Sequence, residues 1–181
     1  MTTTILIHPG LFNSGEGHWQ TVWEGMLPNA QRVQQRDWIT PERNEWIATL
    51  DAAIATAEGQ VVIAAHSLGC ATTAWWAATY AGKPQAAKVK GALLVAPPDV
   101  ERAGAPEPVT GFAPMPRIRL PFKAIVVASS NDPWCELHRA RDWAAAWGAD
   151  FHNIGAYGHI NSESGFGDWP QGRDWLFSFA R

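Results

Sequence analysis

The sequence contains little cysteine, and its histidines lack the spacing of a metal site. Cys70 and Cys135 are its two cysteines, too few for a disulfide framework or a zinc site. The six histidines include no HExxH or similar ligand pattern. We therefore expect neither a metal nor another cofactor, and each thiol is expected to behave as a small apolar side chain.

Charged residues are also scarce, at 17% of the chain, against roughly 25% in ordinary globular proteins. The 14 Lys and Arg residues are outnumbered by 17 Asp and Glu residues, which gives a formal net charge of −3. The basic residues are scattered along the sequence, so no basic patch is available to neutralise phosphates. Binding to nucleic acid and to anionic lipid is therefore disfavoured.

Long hydrophobic runs are absent as well. No apolar stretch approaches the roughly 18 residues of a membrane-spanning helix. Residues 1–5 lead directly into a predicted strand, without the basic region and cleavage site of a secretory signal. We expect a cytoplasmic protein with no membrane partner. The sequence leaves the oligomeric state open, with a monomer as the favoured state.

Apolar residues and tryptophan, by contrast, are abundant: 46% of the 181 residues are apolar and 11 are tryptophan. This composition excludes a disordered chain, and the length suits one domain over 1–181. Eight tryptophans lie in helical patterns and are expected to pack against a sheet. Trp38, Trp134 and Trp169 lie in predicted loops. They are the candidates for substrate contact, although core packing also suits each of them.

Short apolar runs alternate with helical patterns along the chain. Strands are predicted at 5–7, 31–35, 61–65, 91–96, 123–129 and 151–154. Helices are predicted at 18–27, from Thr40 and Pro41 onward, to Tyr80 after the third strand, at 137–147 and at 174–179. Strands that are apolar throughout are typical of parallel sheets covered on both faces. The alternation predicts an α/β fold: a three-layer, doubly wound α/β/α arrangement with a mostly parallel sheet of about six strands.

Residues 97–121 interrupt this alternation with seven prolines. A surface excursion between two strands is the favoured interpretation. The alternative is a short flap over one end of the sheet.

The segment AHSLG, residues 65–69, follows a buried strand and precedes a helical pattern. It matches the nucleophile elbow G-x-S-x-G, with Ala65 in place of the first glycine. Small residues flank the serine in this motif because the backbone turns too sharply for large ones. We predict that Ser67 is a catalytic nucleophile.

A serine nucleophile needs a general base, and that base needs an acid to orient it. In folds with this elbow the acid and the histidine follow the serine in that order, after later strands. Asp132 and His159 occupy such positions and complete the predicted triad. Asp99 also follows a strand and is the competing acid, although a turn or salt-bridge role suits it better. His66 is an unlikely base, because the elbow directs neighbouring side chains apart.

Two backbone N–H groups are expected to form an oxyanion hole. One belongs to Leu68, which follows the predicted nucleophile. The other comes from the loop after the first strand, where Pro9 has no N–H, so Leu11 is the best candidate and Phe12 the second. Phe12 is also a candidate for substrate contact.

Eight short motifs together resemble a known family. They are HPG (8–10), HW (18–19), DW (37–38), PxxxxW (41–46), AHSLG (65–69), LLVAPPD (93–99), SSNDPW (129–134) and GHIN (158–161). The sequence resembles the small serine hydrolases typified by retinoblastoma-binding protein 9 and bacterial YdeN. The resemblance implies a compact α/β-hydrolase with little or no lid and a triad of Ser67, Asp132 and His159. The retinoblastoma-binding motif LxCxE is absent around Cys135, so the resemblance extends to the hydrolase and not to that interaction.

The expected function is hydrolysis of a small ester, thioester or amide through an acyl-enzyme. An acyl transferase or perhydrolase with the same triad is the first alternative. A non-catalytic binding protein on a hydrolase scaffold is the second. With few residues available for a lid, a short acyl group is expected rather than a long lipid tail.

Overall fold

A computed structural model describes residues 2–180 of the protein, and the fold is organised around one six-stranded sheet. In chain order the strands are β1 Thr3–His8, β2 Ala30–Arg32, β3 Gln60–His66, β4 Val89–Val95, β5 Lys123–Ala128 and β6 Asp150–Asn153. Their spatial order is β2-β1-β3-β4-β5-β6, and every pairing is parallel. The carboxyl ends of all six strands therefore lie along the same edge of the sheet.

Helices connect the strands. They are α1 Trp19–Met26, α2 Arg43–Thr56, α3 Leu68–Tyr80, α4 Glu107–Thr110, α5 Leu137–Trp147 and α6 Pro170–Ser178. Short 3₁₀ turns occupy Pro84–Lys88 and Ser162–Ser164. The predicted α/β class, with its parallel sheet of six strands, is confirmed.

The strand side chains divide between two hydrophobic clusters, one on each face of the sheet. In β3, Ile63 belongs to the cluster that contains the buried residues of α2, α3 and α5. Its neighbours Val62 and Ala64 belong to the other cluster, with residues of α1 and α6. Successive strand residues point to opposite faces, so a strand buried on both sides has to be apolar throughout. This explains the continuous apolar runs of the sequence and gives the three layers.

Strand β2 is shorter than its predicted range of 31–35. It pairs only with β1, with Ala30 opposite Ile5 at one end and Arg32 opposite Ile7 at the other. Since β1 ends at His8, no partner strand continues beside the later residues of β2. The last backbone hydrogen bond of this pair is donated by the Val33 N–H to the Ile7 carbonyl at 2.8 Å, so residues 34 and 35 lie beyond the pairing.

The starts of two helices also differ from prediction. Helix α2 begins at Arg43, because Glu42 accepts a hydrogen bond from the Glu45 N–H at 2.8 Å. The hydroxyl of Thr40, which stands at the predicted start of this helix, donates instead to the carboxylate of Asp37. Helix α6 begins at Pro170, earlier than predicted, with proline in the first turn, where it needs no N–H partner.

Segment 97–121 is not the surface excursion favoured by its composition. It buries five apolar side chains in the core: Val100, Val109, Phe112, Met115 and Leu120. Prolines at this density prevent regular pairing but not burial, and α4 is the only helix within the segment. The segment also forms one wall of the main cleft, as described below.

Candidate active site

Three loops at the carboxyl edge of the sheet bring the predicted triad together. Ser67 lies between β3 and α3, Asp132 follows β5, and His159 follows β6. His159 Nε2 lies 2.8 Å from Ser67 Oγ. On the other side of the ring, His159 Nδ1 lies 3.0 and 2.9 Å from the two carboxylate oxygens of Asp132. These distances match a nucleophile, a base and an orienting acid in hydrogen-bond contact.

The acid and histidine loops are tied to one another by polar contacts. Asn131 Oδ1 accepts hydrogen bonds from the Ser129 hydroxyl at 2.9 Å and from the Gly158 N–H at 2.7 Å. Asp132 Oδ1 also accepts the N–H of Trp134 at 2.9 Å, and the Asp132 carboxylate is only 3% exposed. The carboxylate is therefore held in one position before a substrate arrives. Sequence reasoning missed Asn131, although its place next to the predicted acid was a signal.

Asp99, the competing acid, is engaged elsewhere. It accepts hydrogen bonds from Arg139 Nε at 2.8 Å and Arg139 Nη2 at 3.2 Å. Arg139 holds the pKa of Asp99 below its usual value, although burial opposes this. Asp99 therefore has the salt-bridge role that its position in the sequence suggested.

The backbone at Ser67 has the strained turn of an elbow, with φ 52° and ψ −124°. A positive φ is uncommon outside glycine and points to a functional constraint. Two glycines permit the close packing around this turn. A side chain at Gly10 would lie 2.8 Å from Ser67 Cβ and 2.9 Å from the Leu68 nitrogen. A side chain at Gly69 would collide with the carbonyl oxygen of His8.

The two best oxyanion candidates, the N–H groups of Leu68 and Leu11, flank this turn. Within residues 2–180 neither donates a hydrogen bond to the protein. The N–H of Phe12, the second candidate of its loop, donates to the Trp38 carbonyl at 2.8 Å and is not free. Leu68 also opens the 13-residue helix α3, whose amino-terminal dipole favours negative charge. The geometry thus favours Leu11 over Phe12.

Arg32 supports the loop that carries Leu11 and was not identified from the sequence. Its guanidinium donates to Asn13 Oδ1 at 2.7 Å and to the Ser14 carbonyl at 2.9 Å. It also pairs with Glu24, and the Arg32 side chain is only 7% exposed. A lone arginine on a short edge strand carries no sequence signal for this role, because its partners come from other elements.

A cleft of about 490 Å³ opens beside Ser67 and His159. Of the four predicted substrate contacts, Phe12 and Trp134 line it, and they are 68% and 40% exposed. The other two are not among its lining residues. Trp169 is 3% exposed and packs in the core against the rings of Trp19 and Trp23.

Trp38 is half-buried and packs against the core, with its ring 5.5 Å from that of Trp46. For Trp38 and Trp169 the core alternative therefore holds. A loop position did not predict exposure, because the loops around this sheet edge have apolar surface beneath them.

Two further histidines surround the triad. His66 Nε2 donates to the carbonyl of His159 at 2.8 Å, and the His18 ring lies 4.6 Å from the His66 ring. His18 Nδ1 accepts the N–H of Gln20 at 3.1 Å and caps α1. Burial lowers the pKa of His66 and lowers that of His18 to about 3, where the charges of Arg32 and His159 add to the effect. Both rings are therefore neutral near pH 7.

The same burial predicts acid lability. Burial also lowers the pKa of His8 to about 3, while an unfolded chain titrates its histidines near pH 6.5. As the pH falls from about 6.5 to about 5, the unfolded chain gains protons that His8, His18 and His66 cannot accept in the fold. The free energy of unfolding should fall by up to about 1.4 kcal/mol per pH unit for each histidine. Urea unfolding at a series of pH values measures this slope.

A matched pair of variants identifies the source of the slope. His18→Asn keeps a good helix cap and removes one titrating group, so its slope should be shallower than that of the wild type. His138 is 66% exposed, so His138→Gln replaces a histidine that the fold does not bury and serves as the control. Equal stability of the wild type at the two ends of this pH range would contradict the prediction.

Among residues 2–180, no three His, Cys, Asp or Glu side chains are grouped as ligands of a metal ion. No helix in this part of the chain combines the length and apolar character needed to cross a bilayer.

The fold and the arrangement at its carboxyl edge define an α/β-hydrolase. The chain belongs to the serine hydrolase family, whose model matches residues 5–178. It is 30% identical to a YdeN-like hydrolase from Pectobacterium atrosepticum, with a TM-score of 0.85 over 99% of this chain and 91% of that one. This agrees with the resemblance seen in the sequence motifs. The chain is therefore an enzyme, which excludes the non-catalytic binding protein.

More distant structures share the fold. The ydeN gene product of B. subtilis is 20% identical, with a TM-score of 0.78 over 99% of each chain. Est1E from Butyrivibrio proteoclasticus is 12% identical, with a TM-score of 0.71 over 99% of this chain and 88% of that one. No curated protein sequence matches the chain.

Proposed function

We propose that the protein hydrolyses small carboxylic esters, thioesters or amides through an acyl-enzyme on Ser67. The observation that carries the proposal is the continuous hydrogen-bonded series Ser67–His159–Asp132 at the mouth of the cleft. A structural histidine would need only one of these partners. The strained backbone of Ser67 supports the same conclusion, because strain of this kind is retained mainly at functional sites.

The reaction has two steps. His159 Nε2 takes the proton of Ser67 as the oxygen attacks the substrate carbonyl, and it then returns that proton to the leaving group. In the second step His159 takes a proton from water as the water oxygen attacks the acyl carbonyl, and it returns this proton to Ser67 Oγ as the acyl–oxygen bond breaks and the carboxylic acid leaves. Asp132 keeps the proton of His159 on Nδ1 and stabilises the imidazolium that forms. The N–H groups of Leu68 and Leu11 stabilise the negative oxygen of each tetrahedral intermediate.

The shape of the cleft supports a small substrate. Its volume of about 490 Å³ lies in the lower half of the range of roughly 300–1,000 Å³ for small-molecule pockets. Its walls include apolar residues of the segment 97–121, such as Pro106, Pro108 and Val109. A short acyl group fits this cleft better than a long lipid chain. Transfer of the acyl group to an alcohol or to peroxide would use the same intermediate, and product analysis with these acceptors distinguishes transfer from hydrolysis.

A fluorophosphonate probe tests the nucleophile without knowledge of the natural substrate. The probe should label the native wild-type protein on Ser67, because only an activated serine reacts at an appreciable rate. Labelling should disappear in Ser67→Ala and after heat denaturation, while Ser178→Ala, which removes an exposed hydroxyl on α6, should label normally. Peptide mapping that placed the probe on another residue would overturn the assignment.

A further inference from the structure

The cleft beside Ser67 contains an arginine that the proposed catalytic steps do not use. Arg102 belongs to the segment 97–121 and lines the cleft. Its guanidinium carbon lies 5.2 Å from the ring centroid of Trp134, and this ring lies 6.4 Å from the ring of His159. One indole ring therefore separates a positive charge from the proposed general base.

The carboxylates near Arg102 already have other partners. Asp99 is held by two hydrogen bonds from Arg139. Glu101 accepts a third hydrogen bond from Arg139 at 2.7 Å and lies 3.8 Å from Arg117. Two negative charges are thus matched by two arginines. Within residues 2–180, Arg102 forms no ion pair of its own, and its charge acts on Asp99 only from beyond ion-pair distance.

The hydrogen-bonding capacity of Arg102 is also largely unused. Its Nη1 donates to the carbonyl of Pro133. Its Nε is buried without an acceptor in the described part of the chain. The Nε atom has therefore lost contact with water without a replacement from the protein, while the Arg102 side chain as a whole is half-buried. The face of Trp134 compensates part of this loss, and an incoming anion would compensate more.

Among the described residues that line the cleft there is one carboxylate, Asp99, and it is paired with Arg139. Apart from Arg102, the described lining residues include no lysine or arginine, and burial keeps the pKa of His18 and of His66 low, so that both are neutral. Leu11, Phe12 and Val109 contribute apolar surface. Charges attract more strongly beside such surface than in open water.

We propose that Arg102 binds a carboxylate of the substrate that takes no part in the reaction. The enzyme therefore prefers acyl substrates that carry such a carboxylate. Guanidinium groups suit this task because their planar array of donors matches a carboxylate. The inference rests on the proposed hydrolysis at Ser67 and adds a substrate class to it.

Matched esters test this preference. Mono-p-nitrophenyl adipate and p-nitrophenyl hexanoate have the same chain length and differ in a terminal carboxylate. 4-Acetoxybenzoate and its methyl ester place the same difference on the leaving group. Wild-type kcat/KM, corrected for the rate without enzyme, should favour the charged member of at least one pair by about tenfold. Arg102→Met should abolish the preference, and Arg102→Lys should retain part of it.

Arg141 provides the matched control. It is exposed on α5, with its guanidinium 5.3 Å from the ring of Phe151, and Arg141→Met makes the same change of net charge outside the cleft. This variant should keep the wild-type preference, which excludes general steering by charge.

Three outcomes would overturn the role of Arg102. They are the absence of any preference in the wild type, a preference that survives Arg102→Met, and an equal loss on charged and neutral esters, which would mean that Arg102 only positions the Pro133 loop. Hydrolysis of the neutral esters by the wild type and its loss in Ser67→Ala report separately on the proposed function. The substrate preference can therefore fail while the hydrolase assignment stands.

Discussion

Ser67→Ala should lower kcat/KM for ester hydrolysis by at least about a thousandfold. The substitution removes the only side-chain oxygen that lies within hydrogen-bond distance of His159 Nε2 in the described structure. Alanine has nearly the same volume as serine and tolerates the local backbone about as well, so the fold should persist. A panel of chromogenic esters from acetyl to palmitoyl measures the loss, and circular dichroism checks the fold.

A control variant is measured on the same panel of esters. Ser178→Ala removes a hydroxyl that bonds only within α6 and should retain wild-type activity. Near-wild-type turnover by Ser67→Ala would exclude Ser67 as the nucleophile. On the wild type, kcat/KM should be higher for short acyl groups, and a steady rise toward palmitoyl would contradict the expectation drawn from the small cleft.

Asp132→Asn should lower kcat by up to about ten-thousandfold with little change of structure, as an amide in place of the acid does in other triads. The amide can donate to His159 Nδ1, which would favour the wrong tautomer and leave Nε2 protonated. Proton transfer from Ser67 would then be blocked. Steady-state kinetics on a short-chain ester measures the effect.

Asp99→Asn is the matched control, since both residues follow a strand at the same edge of the sheet. It weakens the pair with Arg139 and should lower the free energy of unfolding by about 1–3 kcal/mol. The larger loss of kcat must occur in Asp132→Asn. If Asp99→Asn had the greater effect on kcat, the acid would have to be reassigned.

The alternation of apolar runs predicted the α/β architecture because a strand buried on both faces has no freedom to be polar. Other arguments from the sequence were less accurate. The bounds of β2 differ from the predicted range because it is an edge strand with a single partner that ends early. In segment 97–121, proline density predicted a surface excursion although five side chains are buried. Pairing and burial at these places depend on neighbours that are distant in the sequence.

At the site, too, some residues could be identified from the sequence and others could not. Ser67, Asp132 and His159 were identifiable because each follows a strand, and parallel strands bring their carboxyl ends together. The role of Arg32 exists only through contacts with another loop and gave no sequence signal, whereas Asn131 had the signal of its place next to Asp132. Arg102 lies in a segment with no recognised pattern, and its lack of an ion pair became evident only when the partners of Asp99 were known.

The tryptophans mark the limit of sequence reasoning. Their number indicated a well-covered sheet, and most of those in helices are buried. Of the three in predicted loops, Trp134 lines the cleft while Trp38 and Trp169 pack against the core. By itself the sequence determined the fold class and the strands after which Ser67, Asp132 and His159 lie, because these follow from local pattern. The tertiary structure alone decided which aromatic and charged side chains face the cleft, because that depends on what lies beneath each loop.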